Sequence, residues 1–215
     1  LTRENRFIAH ISVNGKEEVC HVKNTGRCRE LLIPNAEIYV QTNNDPKRKT
    51  KFSLIAVNKG GRLINMDSQA PNKAVEEWLK SGDLFSDIVN LKREKTFQNS
   101  RFDMYFERGG KKCFMEVKGV TLENDNVVSF PDAPSERAVK HLKELQIAHS
   151  MGYETYVLFI VQMSDVKYFE PNAENHKAFA EELKQAKASG VNILAYDCEI
   201  EPNSMVIRKP VQVLV

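Results

Sequence analysis

The segment RFDMYFERGGKKCFMEVKGV, residues 101–120, decides how this chain is read. Two runs rich in aromatic and apolar residues flank Gly109-Gly110, which predicts two antiparallel strands joined by a tight hairpin. Side chains alternate across a strand, so Glu116 and Lys118 share one face and Val117 points into apolar packing on the other. Cross-strand pairing can bring Asp103 to the same edge. Two carboxylates beside a lysine form a donor set suited to metal-assisted phosphodiester hydrolysis. Carboxylate oxygens hold Mg²⁺ or Mn²⁺, which keeps several waters and docks a phosphate. Such an ion polarises the phosphate and acidifies a bound water. The lysine orients that water or offsets charge in the transition state.

Spacing alone does not carry the chemistry. An acid-x-Lys triplet is expected about three times by chance at this composition, and four occur, starting at Asp45, Glu116, Asp165 and Glu182. Only Glu116 lies in an interior strand with an acid in the strand before it. A solvated strand end with a surface ion pair would show the same letters.

Outward from this hairpin the pattern is helix and strand in alternation. PNKAVEEWLKSG (71–82) places Pro71 near a helix start and Gly82 just past its end. Ala74, Val75, Trp78 and Leu79 share one face of that helix, with Glu77 near its edge. IVNLKREKTF (88–97) is a strand that precedes the hairpin. A helix is expected over about 135–149, with Ala138, Leu142 and Leu145 inward and Gly152 as its stop. YETYVLFIVQ (153–162) is nearly continuous in apolar residues, as a strand buried on both faces should be. A helix (177–189), a strand (192–200) and a terminal strand (205–215) follow. This order describes a mixed α/β sheet flanked by helices, over residues 67–215.

Residues 1–66 read differently. Five short runs, at 6–13, 17–22, 36–41, 51–57 and 62–66, are rich in Ile, Val and Phe and separated by turn residues. They suit a small barrel of the oligonucleotide-binding (OB) type, and an SH3-like barrel nearly as well. No linker separates the two parts, which are therefore expected to pack directly on each other.

Composition narrows the function classes. With 41% apolar and 28% charged residues the chain reads as an ordinary globular protein, and no run suits a membrane span. The start, LTRENRFIAH, has no apolar signal core. Cys20, Cys28, Cys113 and Cys198 show neither zinc spacing nor a disulfide framework, which suits free thiols in a reducing, cytoplasmic setting. A net charge of +2 means that any nucleic-acid contact must come from local patches.

Two such patches stand out. In FPDAPSERAVKHL (130–142), Glu136, Arg137, Lys140 and His141 fall on neighbouring turns at a helix start, where phosphate is attracted. A solvated face with i,i+4 ion pairs would read alike. In the barrel, Lys47, Arg48, Lys49 and Lys51 form a basic loop, and Arg27 and Arg29 follow the turn Asn24-Thr25-Gly26. Phe7, Tyr39 and Phe52 are placed to stack bases or to fill the core. No Ser-His-Asp order, Walker loop or dinucleotide fingerprint is present.

The chain closely resembles the sugar fermentation stimulation protein A family. The markers are RFIAH, NTGR, KRK, VEEWL, SRFDMYF, EVKGVTL, FPDAPSERAVKHLKEL and VNILAY, and the match runs over nearly the whole length. The resemblance implies an N-terminal OB barrel, a C-terminal domain of the PD-(D/E)xK nuclease type, and DNA binding linked to regulation of sugar, notably maltose, metabolism. Carried over, the nuclease pattern falls on Glu77, Asp103, Glu116 and Lys118, with Glu77, Asp103 and Glu116 as metal ligands. Glu77 is chosen over the adjacent Glu76 by register with the family motif. Ala138 departs from the glycine expected after the Glu-Arg pair.

Two functions follow as expectations. One is a DNA-binding protein, non-specific because no base-reading element is present, with Arg27, Lys47, Arg48, Lys49, Arg137, Lys140 and His141 as contacts. The other is a Mg²⁺- or Mn²⁺-dependent nuclease. DNA is placed before RNA as the partner, with no membrane, and room is left for a homodimer.

Overall fold

In a computed structural model of the chain, residues 2–215 are described. The N-terminal part holds β1 (Thr2–Arg3), β2 (Ile8–Val13), β3 (Lys16–Val22), β4 (Glu37–Thr42), β5 (Phe52–Lys59) and β6 (Arg62–Asn65). They make one sheet in the order β1-β2-β3-β5-β4, with β6 also on β5. The five expected strands are present, and the two-residue β1 adds a short edge. β3 and β5 pair in parallel, so the chain between them must cross over; β4 lies on that crossover and returns to β5 from its other side.

Helix α1 (Ala70–Ser81) opens the second part, with Pro71 in its first turn and Gly82 at its C-cap, as the sequence predicts. Then come β7 (Val89–Phe97), β8 (Ser100–Arg108), β9 (Lys111–Val120), β10 (Leu122–Asn124), β11 (Val127–Phe130) and α2 (Glu136–Ser150). After α2 follow β12 (Glu154–Val161), β13 (Tyr168–Pro171), α3 (Lys177–Ala188), β14 (Asn192–Glu201), β15 (Ser204–Pro210) and β16 (Gln212–Val213). The central sheet runs β15-β14-β12-β9-β8-β7. β12 is parallel to both β9 and β14, because α2 and α3 supply the crossovers that parallel neighbours need. The β8–β9 hairpin turns at Gly109 and Gly110, both with positive φ (52° and 76°), the backbone that a two-residue turn requires and glycine supplies without strain.

The sheet is covered on both faces. Val75 and Leu79 of α1 pack with Met104, Phe106, Met115, Val117, Leu158 and Ile160. On the other face Leu142, Leu145, Phe179 and Leu183 pack with Phe114, Val157 and Phe159. Residues Thr155–Val161 are all buried, which explains the unbroken apolar run. Ser135 caps α2 by accepting the Ala138 N–H at 3.2 Å.

A second, four-stranded sheet, β10-β11-β13-β16, was not expected. Its strands are two to four residues long, too short for alternation to show. The terminal run 205–215 is also not one strand: Pro210 ends β15, and β16 joins β13 of the small sheet.

The two parts lock together through buried polar groups. Gln162 Nε2 donates to Asn65 O and Oδ1 (both 3.0 Å) and to Asp67 O (3.1 Å), while Asn65 N–H donates to Gln162 O at 2.9 Å. Lys59 Nζ meets Glu123 Oε2 at 2.6 Å, and Cys28 N–H donates to Asp132 Oδ2 at 2.8 Å. Gly119 sits at this seam. A Cβ there would run into Gln162 Oε1 and lie 3.0 Å from Pro71. Among the described residues no helix is long and apolar enough to cross a membrane.

Candidate functional site

The site begins where two strands part. The β8–β9 ladder pairs from Arg108/Lys111 to Met104/Met115 and stops, while β9 runs on against β12. Asp103 is the first residue past that split. Its Oδ2 accepts the Val117 N–H at 2.8 Å, taking an amide that the ladder leaves open. Its Oδ1 accepts from Asn72 Nδ2 at 2.8 Å, a contact from α1. Strand alternation sends Val117 into the α1-side core and turns Glu116 and Lys118 toward α2.

Glu116 is 3% exposed. Its Oε1 accepts from Lys118 Nζ at 2.5 Å and from His141 Nδ1. Arg137 Nε points at His141 Nε2 at 3.4 Å. A guanidinium only donates, so Nε2 carries the lone pair and Nδ1 the proton. Glu116 Oε2 is buried and has no partner, an orphan that calls for a cation or a donor.

The two carboxylates sit in opposite electrostatic states. Burial and the neighbouring Glu116 charge push Asp103 above the usual carboxylate range. Burial pushes Glu116 up as well, but the Lys118 charge and the His141 hydrogen bond outweigh it and hold Glu116 below that range. The donors suit a hard divalent cation: Asp103 keeps lone pairs free on both oxygens, and Glu116 Oε2 has no other use. Among the described residues no group of three His, Cys, Asp or Glu stands ready to hold a metal. A cation here would take its remaining ligands from water and phosphate, as Mg²⁺ prefers.

Glu77 does not belong to this arrangement. It is 68% exposed and lies 3.9 Å from Lys73 on the solvent side of α1. Five residues beyond Asn72, it is rotated about 140° away from the face that meets Asp103. Glu76 lies nearer that flank, but Lys80 (2.6 Å) and Arg93 (3.1 Å) occupy it. The α1 residue that reaches Asp103 is Asn72, which nothing in the sequence singled out.

His141 is also not a surface contact. It is 4% exposed and held between Glu116 and Arg137, so it sets the orientation of the Glu116 carboxylate instead. Above it a depression of about 530 Å³ is lined by Asn99, Ser100, Arg101, Glu136, Arg137, Lys140 and His141, with the Glu136 carboxylate 3.2 Å from His176. Arg137 and Lys140 are exposed there, and Arg101 of β8 is a third cation that the sequence reading missed. The barrel residues Arg27, Lys47, Arg48 and Lys49 are exposed but line no part of this depression. Arg48 is tied back to Asn43 (2.8 Å) and Ser53 (3.2 Å). Of the barrel aromatics, Phe7 is half exposed, whereas Phe52 is buried in the core and cannot stack a base.

The architecture defines a class: an OB barrel docked on a mixed α/β domain whose central six-stranded sheet lies between helices. A family model described as the SfsA N-terminal OB domain matches residues 1–66, and one described as the sugar fermentation stimulation protein RE domain matches residues 69–204. A sugar fermentation stimulation protein homolog of Clostridium beijerinckii is 58% identical over 214 residues, covering 100% of this chain and 95% of the relative. Another, from Desulfitobacterium hafniense, is 58% identical over 205 residues, 95% of this chain and 90% of its own length. Among solved structures, that of Pyrococcus furiosus SfsA in complex with Ca²⁺ superposes with a TM-score of 0.91 at 28% identity, covering 100% of this chain and 94% of that one. The chain belongs to the sugar fermentation stimulation protein family.

Proposed function

We propose that this protein binds nucleic acid, DNA before RNA, and hydrolyses phosphodiester bonds with a divalent cation held by Asp103 and Glu116. The observation that carries this reading is the buried, partnerless Oε2 of Glu116 beside Lys118, beneath a basic depression. The P. furiosus relative in complex with Ca²⁺ supports a divalent ion in this fold. When bound, the ion supplies Lewis-acid activation of phosphate and water. Lys118 orients the attacking water and offsets charge that develops on the phosphate. His141 fixes Glu116, and Asn72 fixes Asp103. Arg101, Arg137 and Lys140 neutralise the flanking backbone, and the exposed barrel cations Arg27, Lys47, Arg48 and Lys49 extend that contact without reading sequence. The four buried, unpaired cysteines suit a reducing compartment, and we place the protein in the cytoplasm.

The test is cleavage of supercoiled plasmid and of a labelled RNA by purified protein with Mg²⁺ or Mn²⁺, beside Asp103→Asn and Glu116→Gln. Cutting that disappears in both variants supports the reading. Cutting that persists in either, or no cutting of any substrate, overturns it.

A second reading is binding without cleavage, in a role in sugar metabolism such as the relatives' names indicate. It is favoured by the exposed basic residues on the barrel, away from the carboxylates. On this reading Asp103→Asn binds DNA as well as the parent or better, and the parent leaves every substrate intact.

A further inference from the structure

The hairpin of β7 and β8 lies across α2. Lys140 Nζ donates to Asn99 O at 2.7 Å, and Gln98 lies 3.8 Å from Met151 Sδ at the far end of the helix. The depression over His141 is on one side of this hairpin. On its other side is a second concavity, of about 370 Å³. Phe97, Tyr105, Phe114 and Tyr153 form its floor, and Lys92, Lys95 and Lys112 stand around it.

All three lysines are exposed, and among the described residues none forms a salt bridge. Lys95 lies 5.9 Å from the centre of the Tyr105 ring. The carboxylate in the concavity, Glu107, is taken by the Tyr105 hydroxyl (2.7 Å) and Asn90 Nδ2 (3.0 Å). Three cations against one occupied anion leave a local excess of positive charge over a rigid apolar floor. Like charges gathered without partners repel, and an anionic ligand relieves that repulsion.

The arrangement points to an extended polyanion. Thr96 and Lys95 of this concavity pair with Arg101 and Phe102, so it adjoins the depression over His141, and Lys92, opposite Tyr105, stands at its far end. From Arg101 to Tyr105 is four residues, about 13 Å at the rise of a strand. A nucleic-acid backbone, with its closely spaced phosphates, can engage a basic surface of that length. We infer that Lys92, Lys95 and Lys112 form a second phosphate-binding surface, which continues the nucleic-acid contact outward along β7 and β8 from the depression over His141. This rests on the nucleic-acid reading above and assigns the path of the bound strand. Contacts there are to phosphates, because the aromatic floor is too deeply buried to stack a base: Tyr105 and Phe114 are 8% and 3% exposed.

The test is fluorescence anisotropy with a fluorescein-labelled 30-base-pair duplex in EDTA, titrated over a range of KCl. The combined Lys92→Ala, Lys95→Ala, Lys112→Ala variant is compared with the parent. A control removes three exposed lysines on other elements: Lys16→Ala, Lys177→Ala and Lys184→Ala. Loss of three phosphate contacts lowers the slope of log affinity against log salt by about 2.7, and weakens binding at least about tenfold at low salt. The control leaves the slope unchanged. If the parent binds but the two triple variants behave alike, the second surface is overturned and the nucleic-acid reading stands. If the parent binds no duplex or single strand, both fall together.

Discussion

Replacing Asp103 with asparagine should make the metal-free protein more stable while removing the proposed nuclease activity. Asparagine keeps the volume of the side chain; its Oδ1 can accept the Val117 N–H, and its Nδ2 can donate to Asn72 Oδ1 once the Asn72 amide turns over. The Val117 bond loses its charge assistance, a loss of about 1 kcal/mol. Against this, a carboxylate that burial and Glu116 push toward its neutral form no longer needs to be ionised. A buried unpaired charge costs several kcal/mol, reduced here by partial exposure and the nearby Lys118. The net gain should be about 1 kcal/mol, or about 2–4 °C in Tm for a chain of this size.

The sign can be checked with pH. A raised carboxylate pKa burdens the fold above that pKa and stops doing so as the pH falls through it. The advantage of Asp103→Asn is therefore full at neutral pH and shrinks on acidification. Glu116 has the opposite sign, its contribution being lost as pH falls, and because its charge repels that of Asp103 the relief of that repulsion is part of the difference between the two proteins. Divalent cation reverses the order: at Mn²⁺ near 100 times its Kd the parent gains about 2.7 kcal/mol, and the variant gains far less. Scanning calorimetry in EDTA and in MnCl₂ reads both effects. If the variant melts below the parent in EDTA at pH 7.5, Asp103 is not a destabilised carboxylate and the electrostatic account of the site is wrong.

Three further outcomes are expected. Glu77→Ala should leave the proposed nuclease activity unchanged and stability within about 0.5 kcal/mol, as for a solvated surface position; a loss of activity of tenfold or more would restore Glu77 to the site. Gly119→Ala should destabilise the protein by about 1–3 kcal/mol in urea unfolding, because the added methyl displaces Gln162 from the seam; an unchanged midpoint would show that the seam yields easily. Burial pushes the thiol of Cys20 up to about 11 and those of Cys28, Cys113 and Cys198 up to about 12. With a disulfide reagent at pH 8 all four should react only on unfolding, and rapid labelling of native protein would contradict their burial.

What the sequence showed of the site follows from how each residue is encoded. Glu116 and Lys118 were legible because strand alternation is strict, and Gly109-Gly110 fixed the hairpin that carries them. Their meeting with His141 needed α2 to fold back over the sheet, and the 130–142 segment announced that helix without saying which face lay inward. His141 therefore read as a surface contact. Glu77 read as a ligand because the family motif gives a register along α1 but not its rotation against Asp103, and Asn72 holds that place. Arg101, Lys92, Lys95 and Lys112 left no signal, since charges on exposed strands are ordinary until the sheet gathers them. The small sheet was missed for a related reason: β16 pairs only two residues, and its partners lie far away in sequence.

The seam between barrel and sheet has a consequence for how the molecule comes apart. Ala9, Ile11, Val22 and Leu54 of the barrel belong to the same buried cluster as Val120, Val128, Leu142 and Phe159 beyond it. Two family models meet in one hydrophobic core. Such a chain should behave as a single cooperative unit, with one melting transition. Neither half has a finished surface of its own, so a cut near residue 66 would leave two fragments with exposed apolar faces that tend to aggregate.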